Sequence, residues 1–305
     1  MHGFGGCRRL VVAFGVISAL LGIAPLAAQA GQGPPFWAGP PGGIVPLREA
    51  GGHGAPSGGK GGGVKLLTYH NGPVMTSGAA VKAIFWGSTW SSSASAGDKV
   101  SGLDTFYGGI GGSSYLRTTT EYTQAGGLTT GSAASYAGHV VDLSSAPTTA
   151  PSTSQVLAVV ARNITNPVPN GYYPVYSDHP RGTAGYCAWH SYGTINGTSV
   201  QFAFFFRLDG DAGCNPQYTG APYSQGLAAL ANVSGHELSE ALTDPLLNAW
   251  YDQQGAENAD KCAWTFGPLV SFANSTWKIQ GNWSNAAYGT GSSYLGSTSG
   301  CIQTK

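Results

Sequence analysis

A chain of 305 residues with only 9% charged side chains and no formal net charge lacks the basic surface that nucleic acid or an anionic membrane requires. Gly, Ser, Thr, Ala and Tyr stand where Lys and Glu are usual, so the expected surface is uncharged but hydrogen-bonding. Beyond the N-terminus no apolar stretch is long and unbroken enough to span a bilayer, which argues against a membrane span in the mature chain.

Residues 1–30 read as a signal peptide. Arg8 and Arg9 form a basic n-region, residues 10–26 are mostly apolar without charge, and Ala28-Gln29-Ala30 is a small-x-small cleavage site. The apolar run is short and broken by Gly15, Gly22 and Pro25, which disfavours a retained anchor. Cleavage would start the mature chain at Gly31 and leave about 275 residues, enough for one large domain or two small ones. Arg8-Arg9-Leu10-Val11-Val12 also has a twin-arginine look, so general and twin-arginine export both stand. Either route places the protein outside the cytoplasm, secreted or periplasmic.

Residues 31–63 are dominated by Gly and Pro, with Gly-Gly-Lys-Gly-Gly-Gly at 58–63. Such a composition buries no core and predicts a flexible leader. The domain is expected over 64–305. Residues 64–69 and 81–86 look like strands separated by a turn at Asn71-Gly72-Pro73. Residues 99–107 suit a helix and 140–143 a short strand, whereas periodicity does not decide between helix and strand for 155–162. The Phe- and Ala-rich run 200–208 is the clearest strand, of a kind buried on both faces. From Ser224, a good N-cap, Leu227, Leu230, Ala231, Leu238 and Leu242 recur at helical spacing until Pro245. Residues 246–305 read as loops and short strands. The fold class is α/β (α+β): one domain with a mostly buried sheet and a site helix at 224–244.

Cys7 leaves with the signal, so Cys187, Cys214, Cys262 and Cys301 remain. An even number in an exported chain implies two disulfides. Of three connectivities, Cys187–Cys214 with Cys262–Cys301 closes the shortest loops. The wide spacing, without C-x-x-C, argues against a zinc cluster of cysteines.

The helix carries His236-Glu237-Leu238-Ser239-Glu240. His236 and Glu240, four residues apart, project from one face and can grip one ion. This is the geometry of the H-E-x-x-H zinc motif, with a carboxylate in place of the second imidazole. Downstream, Glu257-Asn258-Ala259-Asp260 supplies two more acids in an acid-poor chain. The expected zincin-like site has His236, Glu240 and Glu257 on the metal, Glu237 as general base to a water on the ion, and Asp260 behind His236 at its far nitrogen. Zinc is the leading ion; two carboxylates and one imidazole also suit calcium or manganese. A His-Glu-x-x-Glu run also occurs on solvated helix faces. Here the helix is otherwise apolar, which turns these groups toward the protein, where unpaired charge is costly. His190 and His179 are further candidates to line the same cleft, while His70 reads as structural. No Gly-x-Ser-x-Gly elbow is present. Five sequons, at Asn163, Asn196, Asn232, Asn274 and Asn282, matter only in a eukaryotic secretory pathway.

Five segments, in order over about residues 64 to 301, resemble the phosphate-induced protein 1 / EXORDIUM family. They are Leu67-Thr68-Tyr69-His70-Asn71-Gly72-Pro73-Val74, Tyr186-Cys187-Ala188-Trp189-His190, the His236–Glu240 run, Asn248-Ala249-Trp250-Tyr251 and Glu257-Asn258-Ala259-Asp260-Lys261-Cys262. The family is best known from plants, as secreted cell-wall proteins linked to growth. The resemblance implies an exported domain in which the His/Glu/Asp set is a shared site; it does not establish a reaction. The chain departs from the plant pattern in its Gly/Pro leader and in Thr243-Asp244-Pro245 where plant members tend to have Ser-Asn-Pro, and its signal looks bacterial. Two functional readings follow. One is a metallohydrolase acting on peptide bonds of an extracellular peptide, protein or cell-wall substrate. The other is a non-catalytic extracellular or cell-wall protein in which the same residues hold a structural ion or a hydrogen-bond network.

Overall fold

The structure, a computed structural model, describes residues 1–3, 29–30, 43–48, 66–218, 222–294 and 299–305. Most of residues 1–30, expected to be a signal peptide, and of 31–63, expected to be a leader, lies outside the described residues. The elements in chain order are β1 (Gln29–Ala30), β2 (Ile44–Pro46), β3 (Thr68–Tyr69), β4 (Ala79–Trp86), α1 (Ser93–Ala96), α2 (Lys99–Ile110), β5 (Ala134–Asp142), α3 (Thr153–Asn163), β6 (Gly171–Pro180), β7 (Tyr186–Ile195), β8 (Thr198–Arg207) and α4 (Gln225–Thr243). Then follow β9 (Trp250–Tyr251), β10 (Val270–Phe272), β11 (Ser275–Trp277), β12 (Asn282–Trp283), α5 (Asn285–Thr290) and β13 (Cys301–Ile302).

Seven strands form one mixed sheet. β5, β4, β6 and β8 lie side by side and parallel. β7 returns antiparallel to β8, and both β1 and β2 pair antiparallel with its outer edge. Apolar runs in β6 and β8 are buried without alternation, as in strands covered on both faces. Side-chain alternation sorts the two faces. Ala188 and His190 of β7 share one face with Ala203 and Phe205 of β8, their cross-strand partners, and with Tyr176 of β6. Tyr176 Oη is 2.7 Å from Ser234 Oγ on α4, so this is the face that meets the site helix. Trp189 and Phe204 point to the other face.

Ser224 Oγ accepts the amide N–H of Leu227 and starts α4. The spacing of leucines suggested one apolar face. Instead, every residue from Gly226 to Thr243 is buried, because the sheet, α2, β2 and β11 surround the helix. A helix enclosed all round has no solvated face on which to place His236, Glu237 and Glu240. Residues 155–162 are helical in α3: Ser152 and Gln155 form a reciprocal capping box, a local signal that periodicity missed.

Three further differences from the sequence reading have physical causes. Residues 44–46, expected to be leader, form a strand in which Val45 is wholly buried. β6 and β7 escaped notice because Gly, Pro, Ser and His interrupt their apolar patterns. The sequons at Asn232 and Asn282 are fully buried and closed to glycosylation in the folded chain.

The disulfides are Cys187–Cys214 and Cys262–Cys301, closing sequence separations of 27 and 39 residues. The second ties the turn bearing Asp260 to the C-terminal strand β13. Loops of this length stabilise a fold by about 3.5–4 kcal/mol through the unfolded chain. A Cys262→Ser/Cys301→Ser chain is therefore expected to lose about that much, measured by urea unfolding.

Asp142, at the end of β5, accepts from Arg162 Nε at 2.5 Å, Asn163 Nδ2 at 2.6 Å and the Ser144 amide at 2.9 Å. Burial alone would raise its pKa; these donors outweigh it and hold the carboxyl at about 2. Because the folded value is depressed, the stabilisation is present above the ordinary carboxylate range and fades as pH falls toward 2. Arg162 is partly solvated, so screening limits the gain. Asp142→Asn is expected to cost about 1 kcal/mol at neutral pH. The two chains should converge in urea unfolding near the acid limit.

Candidate metal centre

α4, β7 and the turn at 257–262 bring seven ionisable side chains together. Glu237 and Glu240 come from α4 with His236, His190 from β7, Asp244 from just past the helix, and Glu257 and Asp260 from the turn. All seven are at most 6% exposed. Five carboxylates thus face two imidazoles, and among the described residues no lysine or arginine forms an ion pair with any of them. Buried charge of one sign without a partner is strongly unfavourable.

The donors fall into two groups that share Glu240. In the first, His236 Nε2 lies 3.0 Å from Glu240 Oε1 and 3.4 Å from Asp260 Oδ1. In the second, His190 Nδ1 lies 3.0 Å from Glu237 Oε2 and 3.4 Å from Glu240 Oε2. Within each group the three donor atoms are all within 4.8 Å of one another. His236 Nε2, Glu240 Oε2, Glu237 Oε1, His190 Nε2 and Glu257 Oε2 are buried yet make no hydrogen bond. Such a convergence of donors could hold a cation.

The turn is arranged to leave these atoms free. The Asp260 amide donates to Glu240 Oε1 at 3.0 Å, and the Glu257 amide donates to Asp260 Oδ2 at 3.1 Å, which leaves Oδ1 toward His236. Asp260 was expected at the far nitrogen of His236 and Glu257 on the metal. The structure places Asp260 at the near nitrogen, Nε2, and turns Glu257 Oε2 to His190 Nε2, 3.6 Å away. The far nitrogen, Nδ1, is 3.0 Å from Gln280 Nε2, which also donates to the Ala259 carbonyl at 2.7 Å. Asp244, not foreseen, accepts the amides of Asn248 and Ala249 and keeps Oδ2 unpartnered.

No family model, curated protein or solved structure matches this chain. The chemistry of the site is therefore read from its own electrostatics. Burial acts to lower the pKa of His190, but its hydrogen bond to Glu237 and the nearby Glu240 overcome it and hold the ring at about 9. Burial raises Glu257, and the surrounding carboxylates push it further up. Burial likewise raises Glu237, Asp244 and Asp260. Glu240 goes the other way: burial is outweighed by His236 and His190 on its two sides. It is the carboxylate that both imidazoles hold ionised.

For His236, burial opposes charge while Glu240 and Asp260 favour it and raise its pKa. Gln280 sets a limit on this. Its amide nitrogen lies 3.0 Å from Nδ1, which can accept from it only while that ring nitrogen is unprotonated. Were an ion held at Nε2, that nitrogen would have to be unprotonated, and any proton the ring kept would sit on Nδ1 beside Gln280. Metal uptake should release protons from the acids as well.

His179 lies apart from the cluster, half-buried beside Asp178, and His70 stacks on Tyr251 with ring centroids 3.6 Å apart. Gln280, within Lys278-Ile279-Gln280-Gly281, had no sequence signal, since an amide serves a histidine only once the fold brings them together. Two surface cavities, one lined by Met75, Asn170, Gln201 and Leu246 and the other by Tyr136, Asn163 and Tyr173, do not reach the cluster.

Proposed function

We propose that the chain is an exported, EXORDIUM-like protein whose His236, Glu240 and Asp260 hold a divalent ion, and that it hydrolyses peptide bonds with Glu237 as general base. The observation that carries this reading is the convergence of His236 Nε2, Glu240 Oε1 and Asp260 Oδ1 in a buried, acid-rich cluster with which no lysine or arginine among the described residues pairs. One imidazole and two carboxylates suit zinc, and the oxygen-rich surroundings also suit manganese or calcium. When bound, such an ion polarises a carbonyl and makes a neighbouring water more acidic. The chain supplies the rest. Glu237, with Oε1 free and Oε2 on His190, takes the proton from the attacking water. His190, flanked by the small Ala188 and Ala203, donates to the oxygen on which negative charge develops.

The complete burial of the cluster favours a second reading, in which the ion is structural and closed by protein ligands. Two disulfides, and no helix among the described residues long and apolar enough to cross a membrane, are compatible with an extracellular setting. The test is elemental analysis of the exported protein, with N-terminal sequencing and a peptide-library assay. The hydrolase reading expects about one equivalent of a divalent metal, a chain starting near Gly31, and cleavage that chelators abolish and the same metal restores. A metal-free protein that gains no thermal stability from zinc, manganese or calcium would overturn the reading.

A further inference from the structure

The cluster is closed by a segment that the composition of its surroundings marks as a foreign body. Gly43–Arg48 lies within the Gly- and Pro-rich 31–63 stretch, and joins the domain through residues that include the glycine run at 58–63. It is nevertheless docked as a strand. The His190 amide donates to the Gly43 carbonyl at 3.1 Å, and Ile44, Val45 and Pro46 pair with Trp189, Ala188 and Tyr186. Trp264 Nε1 donates to the Pro46 carbonyl at 2.8 Å, and the Arg48 amide to the Gly213 carbonyl at 2.7 Å. Arg48 Nη1 also reaches the Asn215 carbonyl. Except for that last bond, every contact named here is made by the segment's main chain. An edge strand recognises any extended peptide in this way, leaving selectivity to alternate side chains.

Those alternate positions are Gly43 and Val45, which point to the α4 face. A Cβ on Gly43 would stand 2.1 Å from Glu240 Oε2 and 2.6 Å from His190 Cε1, so the Gly43 main chain lies directly against the His190 side of the shared Glu240 carboxylate. Val45, two residues on, is fully buried, while Ile44 between them is only half-buried. β1 pairs only with Gly193 and Thr194, so without β2 the edge of β7 from Tyr186 to His190 has no strand partner among the described residues.

We propose that the β7 edge is a binding site for an extended peptide with glycine against Glu240 and His190 and a small apolar residue two positions later, and that Gly43–Arg48 is its resident occupant. This substrate class rests on the hydrolase reading above and deepens it. The occupant runs antiparallel to β7, seats its Val45-type side chain in the core, and lays the peptide unit at Gly43 beside Glu240 and His190. Cleavage between the segment and the domain converts a tethered occupant into an exchangeable one. The same contacts then select incoming peptides.

The test uses the full chain with a specific protease site introduced over residues 55–60, cut after folding. A fluorescent synthetic peptide of residues 40–50 is then added in excess. The expected result is exchange with the cut fragment at one peptide per chain, with little exchange in the uncut protein. A Gly43→Leu peptide should bind at least about tenfold more weakly, and a Val45→Asp peptide likewise. Absence of exchange in the cut protein overturns the proposal. So does loss of the cooperative thermal transition when the fragment leaves, or equal binding of the Gly43→Leu peptide. Binding is read without added metal, which separates the two readings. Selective peptide binding by a chain that takes up no metal sinks the hydrolase and keeps the peptide site; metal-dependent hydrolysis with no selectivity at Gly43 does the reverse.

Discussion

Zinc added at a hundred times its dissociation constant is expected to stabilise the chain by about 2.7 kcal/mol, and Glu240→Gln to abolish most of that gain. Glu240 is the residue to change because both donor groups depend on it: Oε1 faces His236 and Oε2 faces His190. It is also the carboxylate whose pKa the two imidazoles depress, whereas burial and neighbouring carboxylates raise Glu257 and Asp260. Glutamine keeps the shape and can still accept the Asp260 amide through its oxygen, so the fold should survive. Removing its charge takes from His236 and His190 the carboxylate that both face, so the metal-free variant is expected to melt lower than wild type, and each chain serves as its own metal-free reference. The decisive quantity is thus the shift in melting temperature on adding metal, compared between wild type and Glu240→Gln. Equal shifts would place the ion elsewhere. A parallel series with manganese and calcium ranks the ions, because calcium requires six to eight oxygens.

The site helix was legible because its signals are local. Ser224 as a cap, leucines at helical spacing and Pro245 as a stop all lie within one stretch, and the His236-Glu237-x-x-Glu240 spacing follows once that stretch is helical. β4, β8 and α2 were legible for the same reason, as continuous apolar or periodic runs. The shortest-loop pairing of cysteines is the one that forms. What could not be read is which of several acids faces which histidine. Glu257 and Asp260 sit on one short turn, and their roles depend on the Asp260 amide capping Glu240 and the Glu257 amide capping Asp260, which are tertiary contacts. His190 was a candidate by residue type, but its place opposite Glu237 is set by β7, a strand without a clean period. The strand at 44–46 was hidden by averaging: three useful residues, Ile44-Val45-Pro46, are diluted in a glycine-rich stretch, and their pairing partner lies more than 140 residues away.

Glu237→Gln is expected to leave metal content unchanged and to lower peptide hydrolysis by about 10²–10⁴-fold, the range for loss of a general base. The geometry separates this residue from its neighbours on the helix. Glu237 belongs to the His190 group and is not among the three donors around His236 Nε2. One of its oxygens is spoken for by His190 Nδ1 at 3.0 Å and the other is buried without a partner, the arrangement of a carboxylate aimed at something that arrives with the substrate. Burial raises its pKa, and the two imidazoles only partly offset that, which strengthens it as a base relative to a solvated glutamate. Glutamine has the same size, so α4 should keep its packing, and melting temperatures measured with and without metal check that it does. Activity must be assayed on chain from which Gly43–Arg48 has been displaced, since that segment covers Glu240 and His190. If the displaced wild type hydrolyses peptides and Glu237→Gln does so equally well, another group is the base, and Glu257 beside His190 is the next to replace. If metal content falls with activity, Glu237 is a ligand, and the ion lies in the His190 group instead.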